Sequence, residues 1–126
     1  MAPKKTAPNK FDVIIVGGGP AGLFAAYYLC ENSNFNILLI EKGKPPLKRK
    51  CRMKEKKKCL NCNPCSILSG IGGAGLFSDG KLNYIHKLGK TDLTQFMSLN
   101  DAKDLIDETE EIYNKFGMGR NKFVIV

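Results

Sequence analysis

The sequence predicts an α/β fold with a parallel β-sheet, and the prediction rests on three features of residues 11–41. Phe11 to Val16 form a short apolar run rich in β-branched residues, which is typical of an inner strand covered on both faces. A glycine-rich turn follows this run and opens a helical segment. A second apolar run, Asn36 to Ile40, is followed directly by an acid, Glu41, which lies about 20 residues after the glycines. Together these features predict a Rossmann-like FAD/NAD(P)-binding fold, which the length of the chain indicates is truncated.

The turn after the first strand carries Gly17, Gly19 and Gly22 at the G-x-G-x-x-G spacing. In a dinucleotide site the first glycine permits the tight turn and the second lets the backbone approach the pyrophosphate, while the third lets the helix pack closely on the strand. Pro20 is expected at the helix start, where its missing N–H costs nothing. We expect the helix to continue to about Cys30, with its N-terminal amides facing the phosphates.

Glu41 directly follows the second apolar run. A carboxylate at this position can accept hydrogen bonds from the adenosine ribose hydroxyls, and it would repel a 2′-phosphate. NADP is therefore the least favoured dinucleotide. An ordinary glycine turn without a ligand is the alternative interpretation, and the strand, helix and acid around the glycines argue against it.

The net charge of +8 is concentrated in residues 42–58, KGKPPLKRKCRMKEKKK, which we call the basic segment. It contains ten Lys or Arg and one Glu, so the remainder of the chain is close to neutral. A charge run of this kind is usually a solvated loop, and without aromatic residues it offers no stacking platform for nucleic acid. We therefore do not expect nucleic-acid binding. Arg49 or Arg52 can fold back to neutralise the pyrophosphate of the cofactor.

Residues 1–10 are basic and rich in proline, and we expect a disordered tail there, followed by one domain over residues 11–126. No apolar stretch reaches the roughly 18 residues of a membrane span, and the N-terminus lacks the apolar region of a secretion signal. The sequence thus predicts a cytoplasmic protein without a membrane partner. Its five cysteines are then expected as thiols or metal ligands rather than disulfides.

Cys59, Cys62 and Cys65 are separated by two residues each in CLNCNPC. With Cys51 as a fourth ligand, this spacing fits an iron–sulfur cluster or, alternatively, a zinc site. A third hypothesis is a redox dithiol of Cys62 and Cys65, because a C-x-x-C motif at a helix start favours the thiolate. The remaining interpretation is a set of reduced cysteines in a turn. The sequence does not decide among these four.

A second glycine-rich stretch, SGIGGAGLFSDGKL, covers residues 69–82 and is called here the second glycine loop. Its glycines would let backbone amides approach a planar ring or a phosphate closely. Ile71, Leu76 and Phe77 argue against a flexible linker, since linkers seldom carry so many apolar residues. We therefore expect this loop to contact the cofactor. Residues 59–82 thus comprise the cysteine cluster and the second glycine loop.

Residues 100–116 predict an amphipathic helix with an apolar stripe on one face and acids on the other. Ser98 or Asn100 can cap its start, and Gly117 can end it. The acids are interpreted as a solvated face rather than a catalytic pair. The chain closes with an apolar, strand-like run at residues 122–126.

Four motifs give the chain its resemblance to a known family: VGGGPAG with Glu41, NCNPCSIL, GIGGAGLFSDGKL and EEIYNKFG. Over residues 11–117 the chain resembles the N-terminal part of FAD-dependent oxidoreductases, in particular a poorly characterised group of FAD-dependent dehydrogenases. The first motif is shared by many FAD and NAD proteins, whereas the second and third are more specific to this group.

The resemblance implies a bound FAD. Its adenosine diphosphate part would lie on the first loop and the end of the second strand, at Gly17, Gly19, Pro20, Ala21, Gly22 and Glu41. The second glycine loop would approach the flavin end through Gly72, Gly73, Ala74, Gly75 and Ser78. Lys42 and Arg49 complete the cofactor contacts that we predict from the sequence.

The favoured function is therefore the FAD-binding segment of a flavin-dependent oxidoreductase, in which the cofactor supplies the redox chemistry. No catalytic side chain, small-molecule substrate or electron acceptor can be assigned from the sequence. Enzymes of the family are several times longer, so we expect a fragment or one half of a split enzyme. The alternative is a non-enzymatic FAD- or NAD-binding subunit whose fold a second chain completes.

Overall fold

The structure is a computed structural model, and it describes residues 10–118 except for the side chain of Lys54. Two expectations, the tail before Lys10 and the strand-like run at residues 122–126, lie outside the described residues. The chain forms two compact units, Met1–Ser78 and Asp79–Val126. The domain predicted over residues 11–126 is thus built from two parts.

The first unit is organised around a strand–helix–strand motif. β1 (Val13–Val16) and β2 (Ile37–Ile40) pair in parallel along their whole length, and α1 (Pro20–Asn32) connects them. The predicted α/β class with a parallel sheet is therefore confirmed. Because the two strands run in the same direction, the glycine turn after β1 and Glu41 after β2 lie at the same edge of the sheet.

Helix α1 ends two residues later than the sequence predicted, at Asn32 rather than Cys30. The Asn32 side-chain amide donates a 2.9 Å hydrogen bond to the Tyr28 carbonyl, and the Ser33 hydroxyl donates a 2.6 Å bond to the Leu29 carbonyl. The Asn32 and Ser33 side chains thus fold back on the last turns of α1 and stabilise its end at Asn32.

The two-stranded sheet is covered by α1 on one face. Gly22 of α1 lies against Ile15, which is half-buried. Ile14 and Val16 alternate with it along β1, and they are 58% and 81% exposed on the opposite face. Within the part of the chain that the structure describes, β1 is thus covered on one face, whereas the sequence predicted a strand covered on both.

Loops and short turns make up the rest of the first unit. Pro46–Lys48 and Ala74–Phe77 form 3₁₀ turns, and α2 (Met53–Lys56) is a single helical turn. An isolated parallel bridge between Lys44 and Gly70 ties the basic segment to the second glycine loop. Most described side chains of the basic segment are exposed, as expected of a solvated loop.

The second unit contains a small hairpin and a long helix. β3 (Lys87–Leu88) pairs antiparallel with β4 (Thr91–Asp92), and α3 (Leu99–Lys115) follows after a short 3₁₀ turn. Ser98 caps α3, because its hydroxyl oxygen accepts a 3.1 Å hydrogen bond from the Asp101 amide. No helix among residues 10–118 is long and apolar enough to cross a membrane.

One acid of α3 is not on the solvated face where the sequence placed it. Glu110 is 9% exposed, and Ala102, about two turns earlier, is fully buried. Burial, followed by the negative charge of Glu110, raises the pKa of Tyr84. The inward face of α3 therefore includes a carboxylate that the hydrophobic pattern did not identify.

Candidate functional site

The turn between β1 and α1 requires glycine at two positions. Gly17 has a φ of +108°, which residues with a side chain rarely adopt, and its amide donates a 2.8 Å hydrogen bond to the Ile40 carbonyl. At Gly22, a Cβ atom would collide with the carbonyl oxygen of Gly17. The start of α1 can therefore pack against the turn only because residue 22 has no side chain.

Gly19 differs from these two glycines because the space beside it is open. A Cβ atom added there meets nothing within 4 Å among the described residues. Gly19 is the N-cap of α1, and its carbonyl accepts a 3.0 Å hydrogen bond from the Leu23 amide. The amides of Ala21 and Gly22 belong to the first turn, where helix geometry leaves them without acceptors in the helix. An anion can therefore approach the helix N-terminus at Gly19, where the first turn carries no acid.

Glu41 connects the end of β2 to this glycine turn. Its Oε2 accepts a 2.7 Å hydrogen bond from the Gly18 amide, and its Oε1 accepts a 2.7 Å bond from the Gly43 amide. These two backbone hydrogen bonds lower the pKa of Glu41, so the side chain is a carboxylate at neutral pH. A carboxylate has about four lone-pair sites, and the Gly70 amide also bonds to it, so about one site remains for a further donor.

The second glycine loop lies directly against the first. The Gly72 amide donates a 2.8 Å hydrogen bond to the Gly18 carbonyl. A Cβ atom added at Gly73 would stand 3.0 Å from Cδ of Pro20 and 3.5 Å from Cα of Gly19. The structure thus brings together two stretches that are far apart in the sequence, and their backbones form one surface beside the start of α1.

The remaining predicted cofactor residues of this loop lie in its 3₁₀ turn. Ala74 and Gly75 belong to the turn itself, and Ser78 ends it. The amide of Ser78 donates to the Gly75 carbonyl at 3.1 Å, and its hydroxyl donates to the same carbonyl at 2.8 Å. Ser78 therefore stabilises the turn, and the predicted contact between its side chain and a cofactor stays a prediction.

Arg49 has a different role from the predicted one. Its guanidinium is 4% exposed and stacks on Phe77, with 4.7 Å between Cζ and the ring centroid. It donates four hydrogen bonds of 2.5–3.0 Å to backbone carbonyls, those of Ser66, Ile67, Ile71 and Gly73. Because a guanidinium has five N–H donors, little capacity is left for a pyrophosphate. Arg49 fixes the backbone that precedes and forms the second glycine loop.

No signal in the sequence indicated this arrangement, because the carbonyls that Arg49 binds belong to residues of no particular type. The other two basic candidates, Lys42 and Arg52, are exposed. Lys42 directly follows Glu41, so it lies at the same sheet edge. Its predicted contact with the cofactor stays a prediction.

The four cysteines considered as metal ligands are not brought together. Cys51, Cys59 and Cys62 are exposed, and Cys65 is half-buried. Two of the thiols bond within their own turns: Cys51 Sγ accepts from the Met53 amide and Cys59 Sγ accepts from the Asn61 amide, both at 3.4 Å. Among residues 10–118, no three His, Cys, Asp or Glu side chains are close enough to hold a metal ion. The structure therefore gives no support to the predicted iron–sulfur or zinc site.

Comparisons with known proteins match short parts of the chain, and the family match covers the first strand–helix–strand motif. The model of the Thi4 family matches residues 6–45. The chain is 51% identical over 41 residues to glucose oxidase 2 of Penicillium expansum, and 58% identical over 33 residues to pyranose dehydrogenase of Agaricus xanthodermus. The predicted resemblance of the N-terminal segment to FAD-dependent oxidoreductases is confirmed.

These matches are short. They cover 32% and 26% of this chain but 7% of the glucose oxidase and 6% of the pyranose dehydrogenase. An uncharacterised protein of Methanosarcina barkeri is 48% identical over 43 residues, which are 34% of this chain and 11% of that protein. No solved structure matches the chain significantly. The chain thus aligns with about a tenth or less of each of these curated relatives.

Proposed function

We propose that this chain is the FAD-binding segment of a flavin-dependent oxidoreductase and that its first unit is a Rossmann-like dinucleotide site. The observation that carries the proposal is the hydrogen bond from the Gly18 amide to the Glu41 carboxylate. It joins the glycine turn after β1 to the acid after β2, which are the two elements that recognise pyrophosphate and ribose in this kind of fold. The resemblance of part of the chain to glucose oxidase and pyranose dehydrogenase supports FAD as the dinucleotide.

The pyrophosphate would lie beside Gly19, at the start of α1. The space there is open, and the helix end contributes amide donors and the positive end of its dipole. No cation is needed to hold the phosphates in this arrangement, which agrees with the engagement of Arg49 elsewhere. The backbone at this point fits the group that the fold implies.

The adenosine ribose would be recognised by Glu41. A ribose hydroxyl can donate to the lone-pair capacity that the Gly18, Gly43 and Gly70 amides leave on its carboxylate. The lowered pKa of Glu41 keeps it ionised, and an ionised acid repels the 2′-phosphate of NADP. We therefore propose that the site binds FAD, and the test must distinguish FAD binding from NAD binding.

The second glycine loop would form the neighbouring wall of the site. Gly72 and Gly73 are held against the first loop, and the adjacent Ala74, Gly75 and Ser78 would face the isoalloxazine end. When bound, FAD supplies the hydride or electron transfer. The residues of this chain bind and orient it, and Arg49 keeps the loop backbone in place. The substrate and the electron acceptor are not part of this proposal.

The decisive experiment is the ultraviolet and visible spectrum of the purified full chain, before and after addition of FAD, NAD or NADP, followed by acid release of bound nucleotide. We expect oxidised flavin bands that stay with the protein through gel filtration and release FAD. A folded protein that binds NAD but leaves FAD in the flow-through would overturn the flavin assignment. A folded protein that binds neither would overturn the dinucleotide site as a property of this chain alone.

A further inference from the structure

A cavity of about 310 Å³ lies between the basic segment and residues 60–69, which include part of the cysteine motif. Three cations and three small polar groups stand out among its lining residues: Lys44, Lys50, Arg52, Cys62, Ser66 and Ser69. No acid contributes to its lining. The cavity is therefore suited to a small anion, and it places one thiol within reach of that anion.

Cys65 lies next to this cavity, in a turn whose carbonyls are bonded by Ser69 and Arg49. The Ser69 amide donates a 2.8 Å hydrogen bond to the Cys65 carbonyl. Arg49 binds the carbonyls of the next two residues, Ser66 and Ile67, at 2.9 and 2.5 Å. The carbonyls of the turn face Arg49, and the amides of Ile67 and Leu68 face the Cys65 sulfur. Hydrogen bonds from Leu68 and Ile67, and the charge of Arg49, hold the pKa of the Cys65 thiol below its usual value.

A redox dithiol pairs an exposed attacking thiol with a less exposed second thiol, and Cys62 and Cys65 differ in this way. Cys62 is exposed in the cavity wall, and Cys65 is half-buried three residues later. The C-x-x-C spacing allows the two sulfurs to join in one disulfide. We propose that Cys62 and Cys65 are a redox-active dithiol and that the adjoining basic cavity binds its reaction partner, a small disulfide that carries carboxylates.

The reaction takes place in two exchange steps. Cys62 loses its proton to solvent, its thiolate attacks one sulfur of the small disulfide, a mixed disulfide forms on Cys62, and the first small thiol leaves as its thiolate. The Cys65 thiolate then attacks the Cys62 sulfur, which closes the Cys62–Cys65 disulfide and releases the second small thiol as its thiolate. The dithiol loses two electrons and the small disulfide gains two, so no further oxidant is needed.

The positive wall of the cavity determines which disulfide is preferred. Lys50 and Arg52 attract carboxylates and also stabilise the thiolate that leaves in each step. A disulfide with a net positive charge and no carboxylates would be repelled by the same residues. This inference does not depend on the proposed dinucleotide site, because the exchange needs no flavin.

The test uses the reduced full chain and oxidised glutathione as the probe, with alkylation of free thiols and peptide mass spectrometry. We expect one disulfide between Cys62 and Cys65 and the release of two glutathione molecules per chain. Cys65→Ser should stop at a stable mixed disulfide on Cys62, and Cys62→Ser should form no internal disulfide. The matched variants Cys51→Ser and Cys59→Ser should react like the wild type.

The second part of the test measures whether the reaction depends on the charge of the disulfide. Lys50→Gln combined with Arg52→Gln should slow the reaction with oxidised glutathione about tenfold and leave the reaction with the cationic disulfide cystamine unchanged or faster. Glutathione spread evenly over all exposed cysteines, without a Cys62–Cys65 disulfide, would overturn the dithiol. An equal rate with both probes in wild type and double variant would overturn the anion-selective cavity.

Discussion

The amide of Gly72 donates a 2.8 Å hydrogen bond to the carbonyl oxygen of Gly18. Gly18 also donates its own amide to Glu41, so one residue of the first loop links the acid after β2 to the second glycine loop. A dinucleotide bound at the first loop would therefore stabilise the second loop as well, because ligands stabilise the conformation to which they bind. We expect hydrogen exchange of the Gly72 and Gly73 amides to slow when the site is filled.

Replacement of Gly22 should destabilise the first unit. In Gly22→Ala the new methyl group meets the Gly17 carbonyl oxygen, which is backbone and cannot move without shifting the turn. We expect a loss of about 3 kcal/mol in the free energy of unfolding, measured by urea denaturation. An unfolding midpoint equal to that of the wild type would show that α1 does not pack as closely as described.

Replacement of Gly19 should separate binding from stability. In Gly19→Ala the methyl group enters open space, so the free energy of unfolding should change by less than about 1 kcal/mol, mostly through the N-cap preference. The same methyl group occupies the place proposed for the pyrophosphate, and FAD affinity should fall at least about tenfold, or 1.4 kcal/mol. Unchanged affinity, measured by quenching of flavin fluorescence, would contradict the proposed position of the phosphates.

The substitution Arg49→Lys tests the role of the buried guanidinium. An ammonium group cannot reach four carbonyls in the geometry of a planar fork, so buried acceptors would lose their partners. We expect a cost of about 2–3 kcal/mol and faster hydrogen exchange over residues 66–73. The control is Arg52→Lys, an exposed position in the same segment, which should leave both measurements unchanged.

Glu41 should give the first unit a pH-dependent stability. Because the pKa of Glu41 is lower in the folded chain, its contribution is present above the unfolded-state pKa of about 4.3 and is lost as the pH falls toward the folded value. The urea midpoint of the wild type should therefore fall between pH 6 and pH 3 by more than that of Glu41→Gln. Glu31→Gln, an exposed acid in α1, is the matched control and should behave like the wild type. Parallel curves for all three proteins would contradict this contribution.

The pattern of residues 11–41 was sufficient to predict the first strand–helix–strand motif. Two apolar runs, a glycine spacing and one acid are local signals, and each acts within a few residues of its position. Helix α1 extends to Asn32, two residues past the approximate end that the pattern predicted, and the Asn32 and Ser33 side chains bond to carbonyls near that end, a detail that periodicity does not report. The sequence also predicted that β1 is packed on both faces, whereas within the described residues one face of β1 is exposed.

The contacts that bring the two glycine loops together could not be predicted. Arg49 lies in a run of cations, and nothing in that run distinguishes it from Arg52 before the chain is folded. Its partners are backbone carbonyls, which leave no mark on the sequence. The cysteine spacing fits several chemistries and cannot choose among them, whereas among residues 10–118 the structure shows no three side chains grouped to hold a metal ion.

The burial of Arg49 has a practical consequence for handling the protein. A net charge of +8 favours adsorption to nucleic acids and glass during purification, and an obvious remedy is to replace cations of the basic segment with neutral residues. Exposed side chains such as Lys48 and Lys58 can be exchanged for this purpose at little risk to folding. Arg49 must be left in place, since it holds a loop together rather than contributing to solubility.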